Sequence, residues 1–290
     1  MLKTFTDQHL IKIITEAELA IETILNCNLV HCYGIITPDL ARHFVRHIEK
    51  LSSHAEKKDT LAICLTTPGG SVEPLEVIVT TIRKYYQNVF FLVPEQAMSA
   101  GTIFVMSGDK IFMHAAASLG PIDPQVPRQG NFVPALGYLD KVKELIDASA
   151  TRQLNTAEAG LLLAQDLGFL RLCEQARDLS VNLLKEWLIQ YKFKTWDTHR
   201  RTIPGSTVTP AQKAARAEDI AKKLADNKIW HTHGRNICMG KVRSELLLEI
   251  EDMAGNHELL ENVRLYNDLL SEYYAGRGIQ FALFSRLMYN

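Results

Sequence analysis

Two short segments of this chain carry residue types that can do acyl chemistry together. One is Thr67-Pro68-Gly69-Gly70-Ser71 and the other is Ala97-Met98-Ser99-Ala100-Gly101-Thr102. A serine at the start of a helical pattern stands beside unpaired N–H groups and the positive end of the helix dipole. Paired glycines offer backbone amides with no Cβ to block close approach. A hydroxyl facing amides that can hold an oxyanion is the minimum equipment for acyl transfer. Ser99 is therefore the candidate nucleophile. The amides of Gly69 or Gly70, with that of Ala100, are the candidate oxyanion donors. The competing role for Ser99 is a helix N-cap. The two roles conflict, because a hydroxyl bonded to its own helix amides is a poorer attacker. Losing one oxyanion donor typically costs about 2–4 kcal/mol of transition-state stabilisation, so alanine at Gly70 is expected to disable the chemistry and leave the chain folded.

The elements that must position these residues are legible around them. Leu61–Thr66 precedes the first segment and Val89–Val93 the second, both apolar and rich in strand formers, and each segment opens onto a helical pattern. Two strand-to-helix turns can meet at one edge of a parallel sheet, where open α/β folds place their sites. The spacing predicts a leading amphipathic helix over 6–26 and a strand over 29–36. A helix follows from Pro38 to Ser52, started by Thr37-Pro38-Asp39 and burying Leu40, Phe44, Ile48 and Leu51. Strand 61–66, helix 74–86, strand 89–93, helix 99–107 and strand 110–113 continue the alternation. Such a series implies a mostly parallel sheet with right-handed crossovers. Residues 125–134, with Pro and Gly, read as a loop that could serve as a lid or touch substrate. Beyond it helical patterns dominate, over 135–149, 156–192, 210–226 and 257–274, with a break at Thr202–Pro210. The expected organisation is an N-terminal helix (1–28), a catalytic core (29–150) and a helical region (151–290) that completes the fold and makes oligomer contacts.

Composition narrows the function classes. A chain of 290 residues, 47% hydrophobic, can bury a large core. Lysine plus arginine (32) balances aspartate plus glutamate (33), which argues against nucleic acid as a partner. The five cysteines, Cys27, Cys32, Cys64, Cys173 and Cys238, are scattered and unpaired in pattern, as in a reducing cytoplasm. The charged stretch before Asn28 does not read as a leader, and no apolar run approaches the roughly 18–20 residues of a membrane span. The expectation is a soluble cytoplasmic protein. His231-Thr232-His233 lacks a third ligand nearby, so no metal is expected, and no phosphate-binding G-x-x-x-x-G-K-[ST] run or other cofactor motif occurs.

Thr-Pro-Gly-Gly at 67–70 and Ala-Met-Ser-Ala-Gly-Thr at 97–102 are followed by Ser118-Leu119-Gly120-Pro121-Ile122-Asp123-Pro124-Gln125. In this order the three resemble the Clp-protease/crotonase superfamily, and within it the serine dehydrogenase proteinase family, related to signal peptide peptidase A. Leu183–Leu188 and His233-Gly234-Arg235 extend the resemblance more weakly. It implies an α/β fold, a ClpP/crotonase-like core of repeated β-β-α/β-α units with a helical C-terminal region. It also implies a cytoplasmic serine peptidase acting on peptides or unfolded protein, assembled as a homo-oligomer and served by a regulatory or unfolding partner.

The general base is the open question. Where a Clp-type triad keeps its histidine this chain has Asp123. His114, at a strand end, reads as structural. Relatives of the signal peptide peptidase kind use a Ser-Lys dyad with the lysine downstream, which points to Lys141 or Lys143. The two lie about 200° apart on a helix, so at most one faces inward. Periodicity of Ala135, Leu139, Val142 and Ile146 favours Lys143, and bare spacing favours Lys141. A desolvated lysine can take the serine proton near neutral pH. Asp166 resembles the segment of the triad aspartate, with helix capping or an ion pair as its other role. Asp123 and Gln125 sit in a rigid-turn sequence that could line the cleft. Two other functions compete: a silent or partner-activated module of a larger complex, and an acyl-CoA hydratase or thioesterase of crotonase type.

Overall fold

The computed structural model describes residues 5–128, 130–199 and 204–288. The expected break at Thr202–Pro210 falls partly on residues 200–203, outside the described residues. Helix α1 (Phe5–Leu25) leads into β1 (Asn28–Gly34), α2 (Pro38–Ser52), β2 (Thr60–Thr66), α3 (Glu73–Tyr85) and β3 (Asn88–Val93). Then come the two-residue β4 (Gln96–Ala97), α4 (Ala100–Val105), β5 (Lys110–Met113) and β6 (Ser118–Leu119). Helix α2 starts as its sequence requires: Thr37 Oγ1 accepts from Leu40 N–H at 3.1 Å and Pro38 occupies the first turn.

Strands β1, β2, β3 and β5 pair in parallel, in the order β5-β3-β2-β1. Strands β1 and β2 are buried on both faces, and β3 and β5 largely so, which explains the apolar runs. Leu61, Ile63 and Leu65 face α2, α3 and α4, while Ala62 and Cys64 face α1 and the C-terminal α11 (His257–Ala275). This is the ClpP-like α/β arrangement with a helical C-terminal region. That region adds two edge strands which the hydrophobic pattern did not announce: β10 (Glu251–Asp252) extends β5 in parallel, and β11 (Phe281–Phe284) lies antiparallel on β1. Four of the five cysteines are buried, all five are free, and Cys238 is exposed.

Two readings of the middle of the chain are corrected. Residues 125–134 form a hairpin, β7 (Gln125–Arg128) against β8 (Asn131–Pro134), with Val126 opposite Val133 and Gly130 at φ +81° in the turn. Pro127 and Pro134 suggested a loop, but a two-stranded ribbon has free edges that tolerate proline. The helical pattern over 156–192 is two helices, α6 (Thr156–Leu163) and α7 (Leu167–Trp187), interrupted where Asp166 caps the second. Helix α5 (Ala135–Thr151) precedes them, and α8 (Pro210–Leu224), α9 (Asn227–Trp230), β9 (Ile237–Cys238) and α10 (Met239–Ser244) follow.

The inner face of α1 carries two carboxylates, Glu18 and Glu22. Glu18 is fully buried; its Oε2 accepts from Tyr266 Oη–H at 3.0 Å and its Oε1 from Arg286 N–H at 2.7 Å. Glu22 accepts from Leu29 N–H at 2.9 Å and from Arg286 Nε–H at 2.6 Å. Their partners lie mostly at the far end of the chain, so local sequence could not reveal them. Among the described residues no helix is long and apolar enough to cross a membrane.

Candidate active site

The two turns are stitched together by backbone bonds at their roots. Thr67 N–H donates to Gln96 O at 2.9 Å, and Met98 N–H donates to Thr67 O at 3.1 Å. Beyond this stitch the first chain turns through Gly69 (φ +104°) and Gly70 (φ +143°), conformations that a side chain rarely allows. Packing forbids a side chain there too: a Cβ on Gly69 would stand 2.9 Å from Ser99 Cβ and 3.5 Å from Ala100 N. The glycine turn and the serine are therefore in direct contact. Gly101 serves the same approach, since a Cβ there would meet Thr67 Cγ2 at 2.4 Å.

Ser99 joins β4 to α4 at φ +52°, ψ −116°, a strained backbone for any residue with a Cβ. Strand-to-helix turns of this strained kind expose a nucleophile. The hydroxyl makes no capping bond to its helix, and the side chain is partly exposed. The N-cap role is thus not taken up. Of the candidate oxyanion donors, the Gly69 amide is already committed to Thr67 Oγ1 at 3.0 Å. The amides of Gly70 and Ala100 donate to no acceptor among the described residues. These two are the ones available to an oxyanion.

A third segment walls the elbow. Strand β6 lies between β4 and β9, parallel to the first and antiparallel to the second. Thr102 Oγ1 lies 2.8 Å from both Ala97 O and Gly120 O, which share its one proton, and accepts from Gly120 N–H at 2.9 Å. A Cβ on Gly120 would stand 3.1 Å from Ser99 N. All three motifs of the sequence thus converge on Ser99.

A family model described as ClpP-like SDH-type serine proteinase matches residues 23–197, more than half of the chain. The chain belongs to this family. The model describes its members as serine proteinases. Two uncharacterized proteins of Methanocaldococcus jannaschii are similar to parts of it. One is 33% identical over 94 residues, 32% of each chain, and the other 31% identical over 64 residues, 22% of each. The match thus spans under a third of each relative's length. Among solved structures, a mutant of the membrane-bound stomatin-specific protease 1510-N aligns at TM-score 0.45 and 15% identity, covering 81% of each chain. A second mutant of it, in complex with a substrate peptide, aligns at 0.45 and 17%, covering 81% of this chain and 77% of that one.

Lys141 and Lys143 lie on α5, both exposed: Lys141 Nζ is 3.1 Å from Glu144 and Lys143 Nζ 3.1 Å from Asp147, with side chains 60% and 74% accessible. The desolvation that would make either a base is absent in the single chain. The apolar stripe expected to carry Lys143 inward is also displaced, because Ile146 is exposed while Leu136 and Leu145 are buried. Lys141 instead borders an apolar cavity of about 270 Å³ with Pro134, Tyr138, Val142, Leu145 and Leu161. No basic side chain lies within hydrogen-bond distance of Ser99 among the described residues.

Asp123 is buried. It accepts from Leu136 N–H at 3.2 Å and bonds the Asn227 side chain, and burial pushes its carboxyl up to about 6. His233, from the weaker part of the resemblance, bonds the Asp123 backbone and keeps Nδ1 buried without a partner; burial lowers its pKa. Gln125 Nε2 is likewise buried and unpartnered. His114 does not join the elbow. It borders a separate polar cavity of about 540 Å³, where Arg264 Nη2 lies 2.8 Å from its Nε2. Asp166 is an exposed helix cap, accepting from Gly168 and Phe169 N–H at 2.8 and 3.1 Å. Among the described residues no three His, Cys, Asp or Glu side chains gather as a metal site.

The glycines decide one prediction. A Cβ on Gly70 would stand 2.2 Å from Ile36 O, against backbone. Two bonds, Ile36 N–H to Gly69 O and Ser71 N–H to Ile36 O, hold that contact at 2.9 Å each. Gly70→Ala is therefore expected to break the turn itself, contrary to the expectation of a clean loss of one donor. Thermal denaturation, with limited proteolysis by a protease of broad specificity mapped over residues 66–72, should show lower stability and local cleavage; wild-type behaviour in both would contradict the clash.

Proposed function

We propose that the chain is a serine peptidase that cleaves peptides or unfolded protein. In this reading Ser99 Oγ attacks the scissile carbonyl, the Gly70 and Ala100 amides hold the tetrahedral oxyanion, and water releases the acyl-enzyme. The observation that carries it is the strained, uncapped Ser99 set against a glycine turn with two uncommitted amides. A Ser-Lys mechanism completes it, with Lys141 as base, because Lys141 and not Lys143 borders the apolar cavity where a lysine can be desolvated.

The exposure of both lysines favours a second, related reading: the isolated chain is latent and becomes competent when α5 is covered. Helix α6 beside it buries no residue, and Leu163 and Leu167 are 86% and 79% exposed. A second copy covering this apolar face would dry the cavity and strip Lys141 of solvent. Fluorophosphonate labelling of the wild type, Lys141→Ala and Lys143→Ala over a range of protein concentrations separates these ideas. Lys141→Ala is expected to label about a hundredfold or more slowly, in line with loss of a general base, and Lys143→Ala to label like the wild type. Wild-type labelling that rises with concentration supports covering by a second copy. Undiminished labelling of Lys141→Ala would remove the lysine and leave Ser99 standing.

A further inference from the structure

One buried amide joins the roots of both arms of the site. Asn267, on α11, has no exposed surface. Its Oδ1 accepts from Thr66 Oγ1–H at 2.9 Å, and its Nδ2 donates to Glu95 Oε1 at 2.5 Å. His31 Nε2 and Ser271 Oγ also approach Oδ1, at 3.3 and 3.5 Å, and Asp268 Oδ1 lies 3.4 Å from Nδ2. Thr66 and Glu95 immediately precede Thr67 and Gln96, the residues whose backbones stitch the two turns together. One arm then runs to the amide of Gly70 and the other to the hydroxyl of Ser99.

An amide suits this place, since its oxygen accepts a hydrogen bond from the hydroxyl of one arm while its NH2 donates one to the carboxylate of the other. Bonded at both ends and buried, the side chain has a single orientation and ties the roots of both arms to one helix, α11. Acyl chemistry is sensitive to that spacing, since about 1 Å of misplacement can cost a hundredfold in rate.

We propose that Asn267 is a positioning residue for the Ser99 reaction, fixing the oxyanion arm relative to the nucleophile arm. The proposal rests on the Ser99 and Gly70 reading above. Asn267→Asp keeps an acceptor for Thr66 and turns the donor facing Glu95 into a repelling carboxylate. Adding Glu95→Gln restores the bond with its polarity reversed, the new amide at 95 donating to the new carboxylate at 267. Thr66→Val removes the other root at constant shape.

The test is the rate of fluorophosphonate acylation at saturating probe, per folded molecule, with thermal midpoints measured alongside. Asn267→Asp is expected to slow acylation at least tenfold with the half-saturating probe concentration unchanged, and to regain rate as pH falls and the new carboxylate is protonated. The double variant should recover most of the loss, and Thr66→Val should lose several-fold. A role confined to holding the fold would lower the midpoint and leave the rate per folded molecule as it was. Asn267→Asp acylating at the wild-type rate, or a double variant no faster than Asn267→Asp, overturns the proposal. Should Asn267→Asp not fold, Thr66→Val decides, and a wild-type rate there overturns it. A wild type that stays unlabelled over the whole range of protein concentrations, or whose labelling survives Ser99→Ala, ends the Ser99 reading, and this proposal with it.

Discussion

Ser99→Gly is expected to give a protein that is more stable than Ser99→Ala and equally inert. Both variants lose the hydroxyl, so both should lose fluorophosphonate labelling and peptide hydrolysis entirely. They differ by one methyl group. Alanine keeps a Cβ on a backbone at φ +52°, ψ −116°, while glycine adopts that region freely. Strain of this kind costs about 1–3 kcal/mol. Glycine gives back roughly 0.5–1 kcal/mol through the greater freedom of its unfolded chain. The net gain of glycine over alanine should be about 1 kcal/mol, measurable by denaturant titration. The serine conformation is imposed from outside: Thr102 holds Ala97 and Gly120 on either side, and Gly69 leaves room for the Ser99 Cβ. A more stable Ser99→Ala would mean that the elbow holds no strain. Strain that persists in the resting chain, with the hydroxyl uncapped, suits a residue whose position is fixed for attack and not for stability.

What could be read from the sequence was what local pattern dictates. The parallel strand at 60–66 is buried on both faces and those at 88–93 and 110–113 mostly so, and their apolar runs mark them clearly. The helix at 38–52 has its cap, its proline and its buried stripe in plain order. The two turns were legible because paired glycines and a serine before a helical run each follow an apolar strand pattern. Other features depend on partners far along the chain. Glu18 and Glu22 look like solvated helix charges until Arg286 and Tyr266 are placed beside them. Asn267 carries no local signal at all; its role exists only where β1, β2 and the turn after β3 end together. Choosing between Gly69 and Gly70 needed one side chain, Thr67, whose hydroxyl occupies the first amide. The lysine stripe misled because helical periodicity locates an apolar face without saying what covers it. On α5 that face turns Leu136 and Leu145 inward and leaves Ile146 outside.

Glu18 is expected to make the fold less stable as pH rises from about 4.5 to about 8. Burial pushes its carboxyl from an ordinary 4.5 up to about 8, opposed by its bond from Arg286 N–H and reinforced by the charge of Glu22. Below 4.5 both folded and unfolded chains hold this proton, and the group leaves stability untouched. Above 4.5 the unfolded chain releases the proton and the folded chain keeps it, so folding stability declines steadily until the folded carboxyl ionises near 8. The gap corresponds to a loss on the order of 4–5 kcal/mol across that window. Other buried groups bend the profile. Asp123, raised to about 6, acts in the same direction at lower pH. His31 and His47, both lowered to about 4 by burial, act oppositely below 6.5, because the unfolded chain binds their protons first. Between 6.5 and 8 neither histidine contributes a slope, and there the decline belongs to Glu18. Glu18→Gln keeps the shape, an acceptor for Arg286 N–H and a partner for Tyr266, and holds no charge. Denaturant titrations of both proteins at pH 5, 6.5 and 8 should show the variant gaining on the wild type as pH rises, most of all by pH 8. Parallel profiles would mean that Glu18 is ionised in the fold and not a neutral acid, its charge held by the hydrogen bonds from Arg286 N–H, Tyr266 and Ser285.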